Sequence, residues 1–227
     1  MTAPHPLDNV FWNALRTRQA GLARGGDLAR RFDPAYALFA SMPVFTAECW
    51  QALAQVMAAG ETVAVTAPHD VAPGPLFEVL DVKDILQMIG PATGAVRDPD
   101  RFVVLGAADA PHMAALAGRT KPGPWFERTG ALGRFVGFEA EGRLVAMAGE
   151  RLRVPSHTEI SAVCTDAEWR GRGLAADLMR IVSQAIVARG ELPFLHVLAS
   201  NAQAIALYEK LGFTRRLAAR FTVLRRV

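Results

Sequence analysis

Residues 159–186 read EISAVCTDAEWRGRGLAADLMRIVSQAI, and this stretch decides the fold. Its opening, 159–165, is β-prone and is predicted to be a strand. Leu174, Leu178, Ile181, Val182, Ala185 and Ile186 then recur on one helical stripe, while Asp177, Arg180, Ser183 and Gln184 lie off it. The spacing predicts an amphipathic helix over 174–189, stopped by Gly190. Between strand and helix stands Arg170-Gly171-Arg172-Gly173-Leu174-Ala175. A glycine-bearing turn can serve merely to reverse the chain. One placed at a helix mouth also presents unpaired N–H groups and the positive end of the helix dipole, which attract phosphate oxygens. Gly171, Gly173 and Ala175 let a ligand approach the backbone, and Arg170 and Arg172 add charge. No Lys-Ser/Thr pair follows, so this is not a Walker loop. The third glycine and early βαβ unit of a dinucleotide fingerprint are also missing.

Working outward, 194–198 is predicted as another strand and 202–211 as a second helix, capped by Asn201 and ended by Gly212. A closing hairpin is expected over 213–227. Upstream come a strand at 101–105, a short helix at 111–117 and a loop over 118–130. A hairpin follows, its arms 134–139 and 143–152 flanking Glu141-Gly142. Nearer the start, helices are expected at 10–18 and 46–59, the second with Thr46 as N-cap and Gly60 as stop. β-prone runs follow at 62–66, 76–82 and 85–89. The breaker cluster Gly90-Pro91-Ala92-Thr93-Gly94 is the expected boundary between an N-terminal α/β lobe, 1–94, and a second domain, 95–227.

Composition narrows the class. Hydrophobic residues at 51% against 21% charged over 227 residues describe a globular chain with a sizeable core. Two cysteines, Cys49 and Cys164, exclude a disulfide framework and point to a reducing, cytoplasmic setting. No run is long and apolar enough for a membrane helix, and no signal peptide is expected at the N-terminus. A net charge of +3 with both signs intermixed argues against nucleic acid as a partner.

The specific signal comes from two motifs together. Arg170-x-x-Gly173-x-Ala175 matches Q/R-x-x-G-x-G/A, the acyl-CoA-binding motif of the GNAT acetyltransferase superfamily, at all three specified positions. Asn201-Ala-Gln-Ala-Ile-Ala-Leu-Tyr208-Glu-Lys-Leu-Gly212-Phe213 resembles that superfamily's N-x-x-A-x-x-L-Y-x-x-x-G-F segment. The resemblance runs from about residue 101 to 227 and is closest to the glycine N-acyltransferase-like branch. It implies the GNAT α/β fold, a mixed, mostly antiparallel central sheet flanked by helices. The smaller N-terminal lobe before it would be a degenerate GNAT-like half. It also implies acetyl-CoA as co-substrate and no metal. Val163, Cys164 and Thr165 would follow the pantetheine arm, and Arg170, Gly171, Arg172, Gly173, Leu174 and Ala175 would surround the pyrophosphate. Asn201 would face the cofactor, and Tyr208 the thioester sulfur.

N-acetyl transfer must remove a proton from an ammonium, supply one to a thiolate and stabilise an oxyanion between. The Tyr208 hydroxyl is protonated at neutral pH and is the candidate acid. Two residues are candidate bases: Glu159, on the strand before the glycine turn, and His196, on the next strand. Alternation places Glu159, Ser161 and Val163 on one face unless a bulge intervenes. A backbone N–H of Val163 or Cys164 is the candidate oxyanion donor. Cys164 reads as packing rather than as a nucleophile, so direct transfer is expected. Trp125 and Phe126 are candidate acceptor-binding residues, with Glu127 available to an ammonium. His69, His112 and His157 show no metal-ligand spacing. The expected activity is acetyl transfer from acetyl-CoA to a small primary amine or amino acid. The alternatives are protein N-terminal acetylation and a non-catalytic acyl-CoA-binding module.

Overall fold

The computed structural model describes residues 5–227. The strands and helices between 134 and 212 form as their patterning predicts. β9 (His157–Thr165) leads through the glycine turn into α4 (Leu174–Ala188), and β10 (Leu192–Leu198) leads into α5 (Ala202–Lys210). Leu178, Val182 and Ile186 of the α4 stripe are fully buried. Asn201 caps α5 by accepting a hydrogen bond from the Ala204 N–H. Before them, β7 (Phe135–Ala140) and β8 (Arg143–Val154) form the expected hairpin. Glu141 and Gly142 take φ of 53° and 72°, the left-handed pair that a two-residue hairpin loop requires. β6 (Phe102–Leu105) pairs with β7, and α3 (Ala110–Thr120) follows it in the chain.

The N-terminal part contains α1 (Val10–Arg16), the short strands β1 (Ala23–Gly25), β2 (Arg30–Phe32) and β3 (Ala40–Ser41), and α2 (Ala47–Gln55), capped by the Thr46 hydroxyl. The three-stranded β1–β2–β3 sheet carries no alternation that its sequence betrays. β4 (Thr62–Ala67) and β5 (Phe77–Ile89) come next. The two β-prone runs expected at 76–82 and 85–89 are one continuous strand, because Lys83 and Asp84 stay in ladder register.

The expected closing hairpin does not exist. Residues 214–226 contain no Gly, Pro, Asn or Asp to turn the chain, and they form a single strand, β11 (Thr214–Arg226). It inserts between β4 and β5, giving an eight-stranded sheet of order β4-β11-β5-β10-β9-β8-β7-β6. Strands from both sides of Gly94 therefore share one sheet. Every neighbouring pair is antiparallel except β9–β10.

Two irregularities shape the centre. β9 and β10 are in register only from His157–Glu159 to Leu192–Phe194, and beyond that they part. In the same region β9 carries one extra residue against β8: Gly149 faces Ser161 and Met147 faces Cys164, with Ala162 at φ 53°. This bulge corrects the expected alternation. Val163 packs with Ile160 in the α4-side core, whereas Ala162 and Cys164 pack with Met113 and Leu116 of α3.

Candidate active site

A cavity of about 900 Å³ opens where β9 and β10 part. Val163, Cys164 and Thr165 from β9, the glycine turn, and Asn201 and Tyr208 from α5 all line it. Gly171 and Gly173 take φ of 76° and 79°, which turns the chain sharply into α4. Gly173 has a second reason to be glycine: a Cβ there would collide with the Arg97 guanidinium. Arg97 donates to the Arg172 carbonyl at 2.7 Å and to Asp177 in the first turn of α4, clamping the turn from the linker between β5 and β6. Arg170 and Lys121 bring positive charge to the cavity wall. The Thr165 hydroxyl is buried without a protein partner, free to bond a bound ligand. Together these features fit the anionic, elongated arm of an acyl-CoA.

Some expected residues lie elsewhere. Arg172 is not on the wall: its guanidinium stacks on Trp169, 4.2 Å from the ring centroid. Trp125 and Phe126 do not reach the cavity either. Trp125 packs edge-on against Phe135, and the Phe126 N–H bonds the Thr129 hydroxyl. The wall at this loop is Lys121-Pro122-Gly123-Pro124.

Tyr208 packs edge-on against Phe213 and lines the cavity. Its hydroxyl makes no hydrogen bond to the described residues. Burial pushes its pKa up to about 12, so it stays protonated across the physiological range.

The two candidate bases form one network. Glu159 is fully buried and absent from the wall. Its carboxylate accepts both fork bonds of Arg151 at 2.8 Å and the His196 Nδ1–H at 2.7 Å. Burial alone would raise its pKa, but the charge and hydrogen bonds of Arg151 and His196 outweigh it and hold the carboxyl at about 2. A sealed carboxylate this acidic is a poor base at neutral pH, which corrects the expectation for Glu159. His196 does line the cavity. Its Nε2, however, lies 3.2 Å from the Gln87 side-chain nitrogen, whose amide is oriented by donating to the Leu7 carbonyl and accepting from Arg216. With the Gln87 nitrogen donating, Nε2 is the acceptor and the Nδ1–H faces Glu159. Among the described residues no carboxylate lines the cavity wall.

Several wall residues were not legible in sequence. Phe11 of α1, Phe39 and Phe221 of β11 cluster beside His196, and Arg151 stacks over Phe39 at 4.8 Å. They lie far apart in the chain and carry no shared motif. The Cys164 thiol, pushed up to about 11 by burial, is unsuited to nucleophilic attack. Asp109, His112 and Glu139 bring ligand atoms within 4.8 Å of one another, a proximity the spacing of His112 did not suggest. Asp109 already accepts the Gly106 N–H there.

The family model for FR47-like protein matches residues 135–222, the segment that carries both motifs. An acetyltransferase of the GNAT family from Novosphingobium aromaticivorans is 45% identical. The match covers 99% of this chain and 100% of that one, with a TM-score of 0.90. The chain belongs to the GNAT family of N-acetyltransferases. Among curated GNAT relatives, the ribosomal protein bS18-alanine N-acetyltransferase of Salmonella typhimurium is 33% identical over 116 residues. That match spans 48% of this chain and 78% of that protein. The N-alpha-acetyltransferase RimI of Mycobacterium tuberculosis is 33% identical over 129 residues, 52% of this chain and 80% of its own. As a GNAT enzyme the chain uses acetyl-CoA as co-substrate. Among the described residues no helix is long and apolar enough to cross a membrane.

Proposed function

We propose that this enzyme acetylates the α-amine at the N-terminus of a polypeptide, by direct attack on acetyl-CoA. The observation that carries this reading is the absence of a free base on the cavity wall, where Glu159 is sealed and the His196 lone pair is engaged. Such a site favours amines that are already partly neutral. An α-amine of pKa about 7.7–8.0 is roughly one-tenth neutral at pH 7. A lysine-like amine near 10.4 is neutral in only about one molecule in 2,500. The curated relatives, named as N-alpha- and bS18-alanine acetyltransferases, point the same way, and away from the small-amine acceptor first expected.

The glycine turn, Arg170 and Lys121 hold the phosphates, and the Thr165 hydroxyl bonds the arm. Tyr208 donates its proton to the departing thiolate. The bulged backbone at Ala162 and Val163 has no ladder partner and offers an N–H to the developing oxyanion. Glu159 and Gln87 fix the His196 ring as part of the acceptor wall.

The test is thiol release from acetyl-CoA with four acceptor sets: peptides with free N-termini, the same peptides N-terminally blocked, free amino acids, and diamines. Turnover confined to free N-termini is expected, and Tyr208→Phe should lower kcat about 10²–10⁴-fold. Turnover of amino acids or diamines without peptides would return the acceptor to the small-amine class. CoA binding with no turnover on any acceptor would make the chain a binding module.

A further inference from the structure

β5 is 13 residues long, but its two edges are treated differently. One edge pairs with β11 from Phe77 to Ile89, with a bulge at Leu80. The other pairs with β10 only from Ile85 to Ile89, with one further bond from the Ala199 N–H to the Asp84 carbonyl. Among the described residues nothing pairs with 77–83 on that side. An edge this long is normally blunted, because its unpaired N–H and C=O groups recruit other strands. Here Val79, Leu80 and Val82 stand 46%, 43% and 40% exposed between the charged Glu78, Asp81 and Lys83. The edge also leads into the active site, since Lys83 and Ile85 line the same cavity as His196 and Tyr208.

We propose that the acceptor polypeptide docks as an extended strand on this free edge, antiparallel to β5, with its N-terminal amine delivered into the cavity. The proposal rests on the polypeptide acceptor argued above and adds how that acceptor is held. The direction follows from the sheet. A chain whose N-terminus lies at His196 and whose body leaves along 83 to 77 runs in the sense β10 already takes. The length follows too. His196 is in register with Gln87, four residues before which stands Lys83, so about 13 Å of chain precedes the free edge. About the first four acceptor residues occupy the cavity and its mouth, and the next several form the ladder. Backbone bonds give affinity for many sequences, while Leu80 and Val82 add apolar contact on alternate side chains.

The experiment uses the whole chain with synthetic acceptor peptides. Extending an acceptor from three to ten residues should lower KM about five- to tenfold with little change in kcat, the worth of one or two backbone hydrogen bonds. In the ten-residue peptide, single backbone N-methyl groups beyond position four should raise KM at alternate positions, with period two. Val82→Pro removes an edge N–H and should raise the KM of the long peptide toward that of the short one. The peptide arms need no variant and stand even if Val82→Pro fails to fold. Equal KM at all lengths with a flat N-methyl scan overturns the docking while leaving α-amine acetylation intact. Failure of every peptide, with small amines accepted, overturns both. Wild-type dimers dissociated by Val82→Pro, with peptide KM unchanged, would assign the edge to a second copy and overturn the proposal as well.

Discussion

Glu159 and Tyr208 are both tuned away from neutrality. Glu159 is held at about 2 and Tyr208 at about 12, so neither titrates between pH 5 and 9. On the proposed mechanism the rising limb of kcat/KM with pH belongs to the acceptor amine. Peptides whose N-terminal amines differ in pKa should shift the limb by the same amount. A limb that stays at one pH for every acceptor would give the proton to His196 instead. Glu159 also makes a stability statement. Its folded pKa lies below its ordinary 4.5, so the Arg151–Glu159–His196 network stabilises fully above about 4.5 and loses that contribution as pH falls toward about 2. Urea midpoints measured across that window should fall for the wild type. Glu159→Gln should lower the midpoint at neutral pH and flatten its dependence in that window.

At the scale of elements, the β9 bulge does what no periodicity could announce. It turns Val163 toward α4 and leaves backbone unpaired at the split. Ala162 sits at φ 53°, a backbone that a β-branched side chain resists. Ala162→Val should cost about 1–3 kcal/mol of stability and lower kcat, whereas Ala162→Gly should retain both. Unfolding curves and steady-state rates on the pair decide it. The glycine turn was legible because its chemistry is local: Gly171, Gly173 and the α4 stripe stand within one short stretch. Tyr208 was legible through its motif. The Phe11–Phe39–Phe221 wall was not, because a helix, the residue before β3 and the last strand bring it together, and apolar residues carry no address. Trp125 and Phe126 misled for the same reason, since an aromatic loop reads alike whether it meets a ligand or Phe135. The β5–β11 pairing was hidden by β11 itself, whose Arg-rich alternation fits a hairpin arm as well as a full-length strand.

At the scale of the molecule, one sheet ties the N-terminal and C-terminal parts together. Trp50 is buried against Phe77 near the outer strands, while Trp169 stands beside the glycine turn. Thermal or urea unfolding followed at each should give one coincident transition. Two separate transitions would instead make 1–94 an independent folding unit. The placement of β11 reaches beyond equilibrium. Arg225 bonds Glu78, 147 residues earlier, and β11 lies between two strands made long before it. At about 5–20 residues per second, ribosomal synthesis leaves roughly 7–30 s between those partners. During that interval β4 and β5 wait without the strand that joins them, with their facing edges open to solvent. Unpaired strand edges of this kind are where a partly made chain is open to aggregation.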